Sequence, residues 1–313
     1  MKDFFTMTFL VALFGAGVRM AVPLIYASVG DCFLEKAGAI GISIEGEMLF
    51  GSLFSYIVAL KTGSLWLGVL AGGLAGMFVS LIPAIWSVLL KQDQSITGIM
   101  FNIFAAGFTN FLNRIVFGTN NANIAIATFP IVKIPLLSKI PFIGPVFFEQ
   151  SLLTYGAVIF ALIMFFVMKK TKLGLLLTSV GEDPKVAQSC GVNVYRFRIL
   201  SYMFCGFAAG IGGASLVLGS VGAFSEGVTS GRGFICLAIV ILARWNPLVA
   251  VLASFTFGSI EALQIRLQVM GSSLPFQFFV ALPYLITIVV LAIGGRNLRA
   301  PKELGLPFDK ESR

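Results

Sequence analysis

The sequence predicts an all-α fold, a polytopic membrane helical bundle of about 8–10 transmembrane helices. Three observations carry that prediction. Charged residues fill 12% of the 313 positions, against roughly 25% in an ordinary soluble domain. Hydrophobic residues fill 58% and the mean hydropathy is +0.95, more apolar area than a soluble globule of this length can cover with polar groups. The apolar stretches also run on for about 20 residues, the helical length that crosses roughly 30 Å of hydrocarbon, without the period-two alternation of barrel strands. Disorder is excluded by the same composition, with 31 Phe and little charge.

In chain order the runs lie at 4–29, 40–60, 64–90, 95–117, 151–168, 197–219, 229–244, 247–265 and 275–294. The first contains Pro23 and the seventh is short, so either is open to being bent or re-entrant. Only Lys2 precedes the first run, and no small-residue cleavage site leads into a polar mature domain. That run is read as a retained or half-spanning helix rather than a cleaved signal. Residues 1–313 are read as one transmembrane domain.

Positive charge orients the chain. Lys169, Lys170, Lys172, Lys185, Arg196 and Arg198 crowd 169–198 with only Glu182 and Asp183 against them, and Arg296, Arg299, Lys302, Lys310 and Arg313 mark the tail at 295–313. The long stretch 118–150 holds only Lys133, Lys139 and Glu149. Lys and Arg collect on the cytoplasmic side, so 169–198 and the tail are expected inside and 118–150 outside. Counting spans backwards then puts the N-terminus outside.

Small residues recur at helix-packing spacing: Gly68, Gly72 and Gly76, and again Gly206, Gly210 and Ala214. In lipid such faces let helix backbones approach closely. Packing within one subunit is the leading reading, a dimer seam or moving interface the other. A weak internal echo sets Leu49, Phe50, Gly51 and Ser52 against Thr256, Phe257, Gly258 and Ser259, of the kind repeated transporter halves leave.

The composition removes several chemistries. With no His there is no Ser-His-Asp or Cys-His site, no H-E-x-x-H zinc site and no His-ligated haem. Cys32, Cys190, Cys205 and Cys236 lie far apart, and three sit in or beside apolar runs, reading as small hydrophobes. No P-loop pattern occurs, so any ATP is hydrolysed by a partner. No cofactor is expected in this chain, no metal site, and no nucleic-acid partner; the expected environment is the lipid bilayer.

Ionisable groups inside a bilayer are costly and are functional candidates by default. Glu45 and Glu47 open the second run, while Arg19, Arg114 and Glu261 are bracketed by apolar residues. Glu226 and Arg232 lie in a Gly/Ser-rich connection, and Arg244 ends a run as an interfacial anchor. Glu45, with Gly46 beside it, reads equally as a hydrogen bond to a broken helix or as lining for a hydrated path. The fourth run adds Thr97, Asn102, Thr109, Asn110 and Asn113. Thr109 and Asn113 share a face, with Asn102 and Asn110 not far round the helix, either as part of the path or as interhelical glue.

The most specific element is 181–191. Glu182 and Asp183 suit an N-cap, Pro184 a first turn, and Gly191 a left-handed end. A short capped helix in a basic inward loop is suited to press into a groove on another protein, although an ordinary amphipathic linker has the same features.

The pattern of Gly181, Glu182, Pro184, Ala187, Gly191 and Val192 resembles the cytoplasmic coupling segment of bacterial ABC importer permeases, in the branched-chain amino acid, ribose and nucleoside superfamily. The stretch from Gly41 through Glu45 and Gly46 to Gly51 is similar as well, as are Gly231 to Phe234 and Ala243 to Pro247. Together they look most like the nucleoside and simple-sugar branch, with Ala243 standing where that branch is expected to carry Gly. The resemblance implies a non-enzymatic permease of the bacterial inner membrane. Gly181, Glu182, Asp183, Pro184, Ala187 and Gly191 would couple it to a separate ABC ATPase. Glu45 and Gly46 would line or shape a path enclosed with a second, homologous permease. An extracytoplasmic substrate-binding lipoprotein would deliver a nucleoside, or alternatively a simple sugar. An ion-coupled carrier using Glu45, Glu47 and Glu261 is the competing class; it has no use for a capped docking helix.

Overall fold

The computed structural model describes residues 7–118, 124–135, 137–269 and 300–308, with Ala281, Leu285, Ile288 and Ala292 as single helical positions between. The expected span at 275–294 therefore lies almost wholly outside the described residues, as do residues 295–299 and 309–313 of the tail.

Helix α1 (Met7–Lys36) runs unbroken through Pro23 for 30 residues, longer than the apolar run 4–29 and without the break that Pro23 suggested. Within a membrane bundle, neighbouring helices and side chains compensate for the one backbone bond that a proline removes. After a short irregular stretch come α2 (Ile44–Thr62) and α3 (Leu65–Val79). The latter continues through α4 (Leu81–Ala84) into a π-turn over Ile85–Leu89. Then follow α5 (Gln94–Phe117), β1 (Ile131–Lys133), α6 (Ile143–Phe147), β2 (Glu149–Ser151) and α7 (Leu152–Lys170). The second half holds α8 (Lys172–Glu182), α9 (Pro184–Ser189), α10 (Val194–Leu216) with a π-turn to Val221, α11 (Arg232–Ala243) and α12 (Pro247–Val269). Among the described residues six helical segments are long and apolar enough to span a membrane. The two strands pair antiparallel, Val132 opposite Gln150.

Helices α1, α2, α3 and α10 form the centre, and the two glycine rows meet there. A Cβ on Gly76 would overlap the backbone of Gly206, one on Gly210 the backbone of Gly72, and one on Gly51 the backbone of Gly210. The echo in the second half marks a comparable contact, since a Cβ on Gly258 would overlap α1 at Gly17 and Ala21. Cys32, Cys205 and Cys236 are buried as small hydrophobes, and Cys190 is exposed.

Contacts at the helix ends separate the two faces. On the basic face, the backbone N–H of Glu303 donates to Gly181 O (3.0 Å) and that of Gly305 to Gly38 O (3.1 Å). On the opposite face, Ile126 N donates to Gly222 O, Phe129 N to Leu218 O, and Gln150 Nε2 to Gly15 O. The beginning of α1 thus lies with 124–151 and its end with 169–198.

Candidate functional site

Two regions bring the predicted residues together, one at a junction of broken helices within the bundle and one on the basic face.

At the junction, α2 begins inside the bundle. Asn102 sits two turns into α5, about 12 Å from the first residue of that helix. Its side chain holds the chain that leads into α2: Nδ2 donates to Ile42 O (2.7 Å), and Oδ1 accepts from Gly46 N (2.9 Å). Gly46 lies against Phe101 and Ala105 of α5, where a Cβ would overlap both side chains. Helix α11 has 12 residues, about 18 Å, and crosses little more than half of a bilayer core. Its N-terminus faces α2, and Glu45 closes it. Glu45 Oε1 accepts from Thr229 Oγ1 (2.6 Å) and Gly231 N (2.8 Å), and Oε2 from Gly233 N (2.7 Å). Two backbone N–H groups that the start of α11 would otherwise leave orphaned, and the Thr229 hydroxyl just before it, are bound by one buried carboxylate, placed where the helix dipole favours negative charge. Of the two roles open to Glu45 in the sequence, the geometry gives it the bond to a broken helix.

The flanking charges are paired too. Arg232 Nη2 contacts Glu261 Oε1, and Arg232 Nη1 donates to Val228 O (3.1 Å) and Thr229 O (3.2 Å). Arg114 meets Glu226 at 3.0 Å near the opposite face. Glu47 is fully buried and accepts from Ser43 Oγ (2.8 Å). Thr109 is buried but donates to Ala105 O of its own helix (2.7 Å), so it neither bridges helices nor faces open space. Asn113 is buried on the same α5 face. The opposite side of α5 is exposed and apolar, with Ile96, Ile103, Phe104 and Phe111. Arg244 is exposed at the end of α11, as an interfacial anchor is.

On the basic face, the expected single helix over 181–191 divides in two. Gly181 and Glu182 close α8, and only Pro184–Ser189 forms α9. Asp183, not Glu182, is the cap: its carboxylate accepts from Val186 N at 3.0 Å. The physical reason is that Asp183 leaves helical geometry (φ −152°) and its short side chain reaches back to the new helix. Pro184 occupies the first turn, and Gly191 turns left-handed at φ +88°. Gly181, Pro184 and Ala187 are buried against the protein's own bundle, whereas Glu182, Asp183, Val186 and Gly191 are exposed. Val186, at 58% exposure, stands at the tip of the element. The predicted set therefore splits into residues that hold the helix and residues that present it. Beside α9 an open recess of about 430 Å³ is lined by Lys185, Gln188, Ser189 and Phe308.

Several site residues were not singled out by sequence reasoning. Glu35 accepts from Trp245 Nε1 at 2.6 Å, pinning the end of α1 to the segment after α11. Asp31 is fully buried, and among the described residues neither of its oxygens finds a hydrogen-bond donor. Asp31 and Glu35 stand one helical turn apart among apolar neighbours, beyond the end of the apolar run at 4–29. Arg198, a charge of the basic loop by its place in the sequence, lies in α10 and is 1% exposed. Among the described residues no group of three or more acidic or thiol side chains is arranged to hold a metal ion.

The family described as the branched-chain amino acid transport system permease component matches residues 13–291. The chain is 36% identical over 301 residues to the nucleoside ABC transporter permease protein NupC of Lactococcus lactis subsp. cremoris, covering 93% of this chain and 94% of that one. It is 33% identical to the guanosine ABC transporter permease protein NupQ of Bacillus subtilis, covering 94% and 95%. It is 32% identical to the putative glucose ABC transporter permease protein TsgC13 of Haloferax volcanii, covering 91% and 92%. The same two bacteria each contribute a second permease match, NupB and NupP, at 26% and 25% identity. No solved structure matches the chain.

Proposed function

The chain belongs to the branched-chain amino acid transport system permease-component family, and from that premise we propose that it forms half of a nucleoside importer in a bacterial inner membrane. It is a multi-pass ABC transporter permease, not an enzyme. The paired permeases among its relatives go with a second permease that completes the pathway here. A separate ATPase supplies the energy from the cytoplasmic side, so this chain carries no cofactor. A substrate-binding lipoprotein delivers the solute at the face formed by 118–150.

The observation that carries this reading is α9. It is a capped helix held from behind by buried Pro184 and Ala187, with Val186 projecting from the basic face. A helix so short does not persist alone in water, and a projecting apolar tip serves a partner with a matching groove. Of the three acids open to a carrier, Glu45 is occupied by three donors and Glu261 by Arg232, which leaves Glu47 alone. Gly46 and Asn102 shape the path rather than line it, since Asn102 holds Gly46 and Ile42 and so fixes where α2 begins beside α5.

The test is co-purification with the ATPase and uptake in cells. Val186→Glu is expected to leave the permease inserted, release the ATPase and abolish concentrative uptake. Guanosine uptake competed by other nucleosides and indifferent to glucose supports the nucleoside reading. Glucose uptake instead would assign the sugar class, to which one relative's name points. Uptake that persists with Val186→Glu and no bound ATPase would overturn the permease reading.

A further inference from the structure

We propose that the C-terminal segment 300–308 is a transmission strap: Phe308 and Arg198 are positioning residues that carry movement of α9 to the broken-helix junction at Glu45. The inference rests on the reading of α9 as the ATPase-facing helix.

Helix α9 buries only Pro184 and Ala187, too little to fix a six-residue helix by itself. The tail supplies part of what it rests on. Phe308, 6% exposed, packs with Val180 of α8, Ala187 of α9 and Val194 of α10 in one small core separate from the main one. Its ring lies 5.3 Å from that of Tyr195, whose hydroxyl donates to Phe308 O at 3.4 Å. Any tilt of α9 therefore moves Phe308.

From Phe308 the strap is tied inward at three points. Leu306 O accepts from Arg198 Nη1 at 2.8 Å, and the same guanidinium donates through Nε to Ala37 O at 3.2 Å. Gly305 N donates to Gly38 O, and Glu303 N to Gly181 O. Gly305 takes a left-handed conformation, φ +77°, and lies so close to Ile40 that a Cβ there would overlap its side chain. Among the described residues Arg198 is buried with no carboxylate in salt-bridge contact; it donates through Nε and Nη1 to two carbonyls, while Nη2 finds no acceptor. That is costly for a charge and intelligible if the two segments it joins must move together.

The chain of contacts does not stop at the bundle surface. Ile40 N donates to Gln94 Oε1 at 2.8 Å, and Tyr202 donates to Ile40 O at 3.4 Å. Two residues on, Ile42 O is held by Asn102, which also holds Gly46; the next side chain, Glu45, caps α11. Packed side chains and short hydrogen bonds thus join α9 to the N-termini of two broken helices through the irregular stretch 37–43.

The test uses the complete transporter in vesicles: this chain, its paired permease, the ATPase and the binding protein. ATP hydrolysis and guanosine uptake are read on the same sample. With Phe308→Ala the ATPase is expected to stay bound and to hydrolyse within about twofold of wild type, while uptake per ATP falls about tenfold. Phe308→Leu, which keeps the apolar contact, should restore at least half of the ratio. Arg198→Lys, unable to reach both carbonyls, should lower it like Phe308→Ala. An unchanged ratio in both Phe308→Ala and Arg198→Lys overturns the strap, as does loss of uptake and hydrolysis in parallel. If wild-type vesicles themselves accumulate neither guanosine nor glucose with ATP, the permease reading fails, and the strap with it.

Discussion

Glu45 on α2 accepts a 2.7 Å hydrogen bond from the backbone N–H of Gly233 on α11, so the carboxylate of one broken helix is the cap of another. The bond explains two sequence features at once. The acid sits in an apolar run because a dipole end faces it, and Gly233 is glycine because a Cβ there would overlap the backbone of Glu45. Discontinuous helices whose N-termini meet inside a bundle are a recurring device at transporter pathways. Here the meeting point is closed by the protein's own carboxylate and lies beside the polar face of α5.

Replacing Glu45 with Gln keeps the shape but leaves one amide donor facing a backbone donor. The expected loss of stability is about 2–3 kcal/mol, read as a lowered thermal midpoint in detergent, with transport impaired in cells that still insert the protein. Thr229→Val removes one donor of three and should cost about 1 kcal/mol. Equal midpoints for Glu45→Gln and wild type would show that the cap contributes nothing.

The pair Arg232 and Glu261 should behave as a unit. Their side chains are 14% and 17% exposed, and removing one partner of such a pair strands the other, at about 3–5 kcal/mol. Arg232→Met with Glu261→Gln together should be less harmful than Glu261→Gln alone. A double-mutant cycle on thermal midpoints measures this; additive losses would refute the coupling.

The glycine rows predict a sharp contrast. Gly210→Val places a side chain against the backbone of α3 at Gly72 and Gly73 and should prevent assembly of the bundle, seen as aggregation on size-exclusion chromatography. Gly107 on α5 has nothing within contact distance of an added Cβ. Gly107→Ala should therefore be harmless, or stabilising by up to about 1 kcal/mol through helix propensity.

At the coupling helix, Asp183→Ala removes the acceptor for Val186 N and should weaken α9 by about 0.5–2 kcal/mol. The readout is ATPase affinity in a pull-down at graded concentrations. Asp183→Asn, which can still accept the bond, should retain most of the affinity, whereas Glu182→Ala should change little because Glu182 ends α8.

Local signals were legible where neighbours in sequence are also neighbours in space. Asp183, Pro184 and Gly191 act within one helical turn, and residues of those types could be read as cap, first turn and stop, with only the boundary at Glu182 misplaced. The short run at 229–244 could be read as a bent or re-entrant segment from its length alone. Thr109 was harder, because a polar side chain that bonds back to its own helix looks in sequence like one that reaches another. Arg198 was counted among the loop charges for a similar reason: a basic residue in a basic loop gives no local sign of burial.

Composition and periodicity determined that this chain is a helical membrane bundle, where most of its spans lie, which face carries the positive charge, and that the basic loop holds a capped helix. Tertiary structure alone decided that Glu45 faces Gly233 across 188 positions, that the row of Gly72 and Gly76 receives the row of Gly206 and Gly210, and that Phe308 lies under Ala187. The reason is one of range. Helix formation and capping depend on residues within about four positions. The partner of a buried carboxylate or a glycine face depends instead on which helices the fold sets side by side, and no local pattern in the chain encodes that choice.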